Sequence, residues 1–319
     1  MSVETASPAD IAAAMTQCVE SGASIEVSRM GDLVMVVVTR DGASSERPNE
    51  PVVESGESVE PSIRVFGSIG LTGCESTSVG GTTVRRVLAA LAMHAGGVVS
   101  LDRLVDITWP DGVARTAAVR NLQAYVCRLR SVLPEELRKG LVTRPPGYAL
   151  ELGAVDAVEF ERAVQLAGDQ LRADSPDRAV ALVDDALALW TGRPYSEFAE
   201  EGWARAEVTR LEHVRSEALD TRCRALLCAG RDAEALSSLE QLVDERPLWE
   251  RPRQLQMVAL YRHGRRVEAL RVFQDFRALL AEEVGVSPSD TLVSLDRAIA
   301  VNDPRLDEAW ALDEVDIAV

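Results

Sequence analysis

Between Thr116 and Leu133 the apolar residues Val119, Leu122, Val126, Leu129 and Leu133 recur at alternating steps of three and four. At 100° per residue these positions fall in one stripe, which predicts an amphipathic helix with that stripe buried. The opposite face carries Arg120, Ala124, Arg128 and Ser131, flanked by Asn121 and Cys127, with Gln123 and Arg130 nearer the boundary. Upstream, IRVFGSIGL from Ile63 to Leu71 alternates as a strand. TVRRVLAALAMHA then places Val84, Val87, Leu88, Leu91 and Ala92 on one helical face, with Gly96 and Gly97 as its stop. Ser100 is the expected N-cap of a short helix, LDRLVDITW, which Pro110 and Gly112 close. Beyond the amphipathic helix, GLVTRPPGYALEL reads as two strands joined by a tight Pro-Pro-Gly turn. The order is strand, helix, short helix, basic amphipathic helix, hairpin, which is that of a winged helix.

The flanks differ in pattern. Residues 1–40 suggest a small α+β extension: helical propensity in ADIAAAMTQCVES, then two strands in SIEVSRMGDLVMVVVTRDG turning near Met30, Gly31 and Asp32. From 41 to 61 the composition shifts to Gly, Ser, Pro and Glu, which is expected to be a disordered linker. After Asp156 the pattern is almost wholly helical and repeats itself. Leu226, Gly230, Ala235, Leu236 and Leu239 recur 34 residues later as Leu260, Gly264, Ala269, Leu270 and Phe273. A 34-residue period with glycine between two helices is the tetratricopeptide signature, so five to eight stacked helices are expected between 156 and 301. Pro247 and Pro288 mark the ends of the second helices, DRAVALVDDALALW is a degenerate earlier unit, and 306–319 reads as an acidic tail.

Charge changes what the basic face can mean. The chain of 319 residues has a net charge of −17, but residues 1–60 hold three arginines against eleven acids, and residues 153–319 hold 20 arginines against 33 acids. Residues 61–152 hold eleven basic residues against seven acids. A basic segment between two acidic ones can attract phosphates while the remainder is held off a duplex. Arginine forks match guanine edges and phosphates, amides match adenine, and a small side chain admits a thymine methyl. The face of Arg120, Asn121, Gln123, Ala124 and Arg128 therefore suits a DNA major groove, although a solvated basic face on a core helix has the same periodicity.

The phrases Arg128-Leu129-Arg130 and Thr143-Arg144-Pro145-Pro146-Gly147-Tyr148 resemble the recognition helix and wing of OmpR-type winged helices. They are most similar to the version in SARP-type (Streptomyces antibiotic regulatory protein) activators. FERAV at 160, ALALWTGRPYSEFA at 186–199, RLEHVRSEAL at 210–219, ERPLWERPRQLQMVALYRHGRRVEAL at 245–270 and AEEVGVSPSDTLVSL at 281–295 resemble the bacterial transcriptional activator domain that follows it. The resemblance covers roughly residues 61–305 and leaves 1–60 outside. It implies a mainly α protein: a winged-helix DNA-binding domain at 62–152, then a tetratricopeptide-like all-α activator domain at 153–305. It implies that Arg120, Asn121, Gln123, Ala124, Tyr125, Arg128 and Arg130 face DNA, with Arg144 reaching from the wing. Cys127 departs from the pattern, standing where a polar or basic residue is usual. The resemblance further implies promoter direct repeats as target, RNA polymerase holoenzyme with its sigma factor as partner, self-association on DNA, and control of a secondary-metabolite gene cluster.

Other classes find little support. The sole lysine, Lys139, precedes Gly140 with no Ser or Thr directly after it, so no P-loop can be built. His94, His213 and His263 lie in separate predicted helices without a nucleophile motif beside them, and paired acids such as Asp184–Asp185 and Glu200–Glu201 are typical of solvated surfaces. The five cysteines form no CxxC pair, so reduced thiols and no metal are expected. Neither an ATPase module nor a phosphoacceptor domain is expected in the chain, and no cofactor. Trp190, Trp203, Trp249 and Tyr261 are expected to serve packing. With no basic leader and no run of about 18 apolar residues, a cytoplasmic, nucleoid-associated location is expected. The competing function is an adaptor whose repeats bind protein while its winged helix reads no DNA.

Overall fold

The computed structural model describes the backbone of 23–30 and 33–40, and residues 61–74, 79–110, 112, 114–151 and 155–307. The expectations for a helix before Ala23, for the linker and for the tail lie outside these residues. By contacts the chain divides into two units, Met1–Glu57 and Ser58–Val319. In the first, β1 (Ala23–Met30) and β2 (Leu33–Arg40) pair antiparallel with Met30 opposite Leu33, so both expected strands are present; Gly31 and Asp32 lie outside the described residues.

The second unit opens with β3 (Ser62–Arg64) and β4 (Gly70–Thr72), paired antiparallel with Ile63 opposite Leu71. The single strand expected over Ile63–Leu71 is thus two short strands folded back on each other. Gly67, at φ 97°, makes a reversal that side chains resist, and hydrogen bonds from elsewhere hold the bend. Helix α1 (Thr82–Ala92) buries Val84, Val87, Leu88, Leu91 and Ala92, the face the pattern marked, and ends four residues before Gly96. Strand β5 (Val98–Ser100) follows, unseen in the sequence because three residues show no period. Ser100 then caps α2 (Leu101–Thr108), its Oγ accepting the Arg103 N–H at 3.2 Å.

Helix α3 (Arg115–Val132) buries Ala118, Leu122, Val126 and Leu129, with Leu133 buried at its C-cap. Ala118 therefore takes the innermost position expected for Val119, which is half-buried. A further turn, α4 (Glu135–Gly140), leads into the hairpin of β6 (Leu141–Arg144) and β7 (Gly147–Leu150). Strand β7 lies between β5 and β6, so the wing is tied to the body of the domain. A Cβ on Gly147 would lie 1.9 Å from the Val99 carbonyl oxygen and 2.8 Å from Ser100 Cα, so only glycine allows this approach.

Among the described residues seven α-helices follow, α5 (Asp156–Arg172), α6 (Pro176–Ala188), α7 (Arg205–Cys228), α8 (Asp232–Glu245), α9 (Glu250–Arg262), α10 (Arg266–Glu283) and α11 (Asp290–Val301), and then a 3-10 turn at Pro304–Asp307. The 34-residue period is visible in the turns. Gly230 (φ 70°) and Gly264 (φ 77°) end α7 and α9 in the same way. Arg231 N–H bonds Leu226 O at 2.8 Å, as Arg265 N–H bonds Leu260 O at 2.8 Å, and each glycine N–H reaches the carbonyl three residues back. This is the Schellman pattern, which needs a left-handed residue at that place. Arg231–Glu234 and Arg265–Glu268 are ion pairs at 2.8 and 2.7 Å, again 34 residues apart.

The apolar interior does not divide where the winged helix ends. One core runs from Ile63 through the winged helix to Phe160, Val183, Tyr195 and Leu211. A second gathers Leu226, Leu239, Leu260, Phe273 and Ile299. The long α7 contributes to both. At the junction the segment from Trp190 to Ala199 lies along the β3–β4 turn: Tyr195 N–H bonds Val65 O at 2.7 Å, Gly67 N–H bonds Arg193 O at 3.0 Å, and Thr191 Oγ1 donates to Phe66 O at 2.6 Å. The rings of Phe66, Phe160 and Trp190 cluster in mutual contact, with centroids 5.3 Å (Phe66–Phe160), 4.4 Å (Phe66–Trp190) and 5.4 Å (Phe160–Trp190) apart. Arg85 and Arg86 of α1 pair with Glu197 and Glu201, each at 2.7 Å.

Candidate nucleic-acid interface

The outward face of α3 is built by the same periodicity that buries its stripe. Arg120, Asn121, Gln123, Ala124, Cys127, Arg128 and Ser131 are all exposed. At the helix start Arg115 forms an ion pair with Asp102 of α2, and that hydrogen bond holds the Asp102 carboxyl below the usual carboxylate range. Arg128 lies beside the loop before α1, since a Cβ on Gly80 would be 3.9 Å from its Nε.

Two of the sequence-selected residues are placed differently. Tyr125 is half-buried, its ring 6.1 Å from that of Trp109, so it packs the side of α3 toward the α2–α3 connection. Arg130 is half-buried and turned to the wing. Its Nε and Nη2 donate to Leu141 O at 3.2 and 2.9 Å, and Nη2 also donates to Thr143 Oγ1 at 3.0 Å. Its guanidinium carbon lies 5.9 Å from the centroid of Tyr148, the cross-strand partner of Thr143. The expectation that Arg130 faces DNA is thus corrected: its guanidinium is spent on acceptors of the wing, which the sequence does not display. Arg144 is exposed at the end of β6, next to the Pro145–Pro146 turn.

The electrostatics of this face come from cations without a carboxylate beside them. Among the described residues, Arg120, Arg128 and Arg144 make no ion pair or hydrogen bond through their guanidinium groups. Several of the array's arginines are matched: Arg210 with Glu161 and Glu207, Arg215 with Glu245, Arg222 with Asp184, Arg231 with Glu234 and Arg265 with Glu268. Unmatched guanidinium groups on α3 and the wing leave their donors open to an external anion. Among the described residues no helix is long and apolar enough to cross a membrane, and no cluster of three metal-binding side chains occurs.

A winged helix with an arginine-bearing third helix, joined through a shared core to a tetratricopeptide-like array, is the architecture of a transcriptional regulator. Residues 155–300 match the family described as the bacterial transcriptional activator domain. The chain is 35% identical to the regulatory protein AfsR of Streptomyces griseus, over 82% of this chain and 28% of AfsR. It is 32% identical to the regulatory protein DnrI of Streptomyces peucetius, over 70% of this chain and 85% of DnrI. It thus spans about a quarter of the length of AfsR and most of DnrI. In fold it is similar to Mycobacterium tuberculosis EmbR, solved in complex with a low-affinity phosphopeptide, with a TM-score of 0.72 at 23% identity over 80% of this chain and 68% of that one. The chain belongs to the SARP-type family of transcriptional activators.

Proposed function

We propose that this protein is a sequence-specific DNA-binding activator that reads promoter direct repeats with α3 and its wing and recruits RNA polymerase with its sigma factor through the helical array. The observation that carries the reading is placement: the guanidinium groups of Arg120, Arg128 and Arg144 are exposed and unmatched among the described residues, on two elements, α3 and the wing, that Arg130 ties together. Asn121, Gln123 and Ala124, exposed between the two α3 arginines, supply amide and small-residue contacts of the kind that distinguish adenine and thymine. Arg128 is assigned a guanine contact, Arg120 a phosphate, and Arg144 the backbone or minor groove beside the wing. The acidic surface of the array favours a partner with basic patches over DNA. Membership of the family supports control of genes for secondary-metabolite biosynthesis.

The test is a salt titration of binding to a duplex carrying the promoter of the neighbouring genes and to a scrambled duplex of equal length. Arg128→Ala is expected to lose about 1–3 kcal/mol on the promoter and to relax preference there. Arg120→Ala is expected to weaken both duplexes alike and to lower the salt slope by about one. Equal weak binding of the unaltered protein to both duplexes would overturn the reading and favour the protein adaptor.

A further inference from the structure

The geometry points to Arg130 as a positioning residue that fixes the distance between α3 and the wing, so that Arg128 and Arg144 meet one duplex together. This inference rests on the DNA-reading function proposed above. The two cationic elements are joined at this side by one guanidinium. Arg130 projects from the last turn of α3 and donates to the first residue of β6 through Leu141 O, and to the third through Thr143 Oγ1. It also covers the ring of Tyr148 in β7, so both wing strands are referenced to the helix. Thr143 immediately precedes Arg144, and Arg128 lies two residues before Arg130. The path from one exposed arginine to the other is therefore Arg128, Arg130, Thr143, Arg144.

The chemistry suits a positioning role. A planar fork can serve two acceptors at set angles, whereas the point charge of an ammonium cannot hold both with fixed geometry. β6 is an edge strand of a three-stranded sheet, so only β7 restrains it within the sheet. A tie from α3 to its carbonyl and side-chain acceptors removes a freedom that binding would otherwise have to freeze.

The experiment is a double-mutant cycle on the full chain with the promoter duplex, Arg144→Ala being made in the unaltered, Arg130→Met and Arg130→Lys backgrounds. In the unaltered background Arg144→Ala is expected to lose roughly tenfold in affinity and to lower the salt slope by about one. In the Arg130→Met and Arg130→Lys backgrounds it is expected to change neither, because a wing set at the wrong distance no longer delivers Arg144. The same fold-loss and slope change in all three backgrounds would overturn the proposal, as would recovery of the full Arg144 effect with lysine. Thr143→Val removes one acceptor while keeping the arginine, and covers the case in which Arg130→Met does not fold; it is expected to reduce the Arg144 effect, and an undiminished effect would overturn the proposal. If the unaltered protein shows no preference for the promoter, the DNA-reading function itself has failed, which a cycle without coupling on a well-bound promoter does not imply.

Discussion

The carboxylate of Asp156, the first residue of α5, accepts the backbone N–H of Val65 at 2.9 Å and, through its second oxygen, that of Phe66 at 3.3 Å. Ninety-one residues apart in sequence, Asp156 and Val65 fasten the bend that divides β3 from β4 to the start of the activator domain. Asp156→Ala leaves two buried N–H groups without an acceptor, each worth about 1–3 kcal/mol. A loss of about 2–4 kcal/mol in urea denaturation is expected; a loss under 1 kcal/mol would mean that water replaces the carboxylate.

The same carboxyl makes stability depend on pH. Burial pushes it up to about 6, against the lowering effect of hydrogen bonds from Val65, Phe66 and Ala157. Its folded value lies above the unfolded one, so the folded chain holds the proton more tightly between about pH 4 and 6. The stabilising contribution is complete below about pH 4, falls as pH rises through about 6, and is constant thereafter. Relative to Asp156→Asn, which does not titrate, the unaltered protein is expected to lose on the order of 3 kcal/mol between pH 4 and 7. A difference that stayed level over that range would place the carboxyl in a solvated setting.

Gly147 is where the wing touches the body. An added Cβ would strike backbone, the Val99 carbonyl oxygen and Ser100 Cα, and no side-chain rotation can relieve it. Gly147→Ala is expected to separate β5 from β7 and to lose the Leu101 N–H bond to Pro146 O, now 3.2 Å. Overpacking of this kind costs about 1–3 kcal/mol. The variant should also lose promoter affinity, because the wing leaves its register; full affinity with unchanged thermal midpoint would contradict the close approach.

Gly230 and Gly264 offer a contrast, since both need a left-handed backbone but neither has an atom within 4 Å of an added Cβ. Alanine at either place therefore meets only conformational strain, about 1 kcal/mol. Equal losses are expected at the two positions, with DNA affinity unchanged. Unequal midpoints would show that the two turns, alike in hydrogen bonding, are not alike in packing.

How much was legible depended on the range of the interactions. The outward face of α3, the Ser100 cap and the paired turns at Gly230 and Gly264 follow from periods or from contacts within about five residues, which a sequence displays directly. Ala118 is buried and Val119 half-buried because periodicity fixes a face only to within a residue. The phrase around Trp190 and Tyr195 stood out as a family pattern, but its work is to hold the β3–β4 turn more than 120 residues earlier, as Thr191 Oγ1 does with Phe66 O. Arg130 was recognisable as a basic residue near a groove-facing helix. Its acceptors, Leu141 O and Thr143 Oγ1, exist only once the wing folds back.

The core shared by the winged helix and α5–α7 implies that the two unfold together. Phe160 is fully buried in α5, yet its ring packs on Phe66, which belongs to the winged helix. The ion pairs Arg85–Glu197 and Arg86–Glu201 at the same junction are partly exposed and are worth about 0–1 kcal/mol each. Phe160→Ala should then cost about 3–5 kcal/mol and Glu201→Gln under about 1. Denaturation followed by amide exchange at Leu88 in α1 and at Val183 in α6, both in this core, should give coincident transitions that shift by the same amount in Phe160→Ala. If only Val183 shifts, the winged helix holds its fold without the array, and the continuous core contributes contact but no cooperativity.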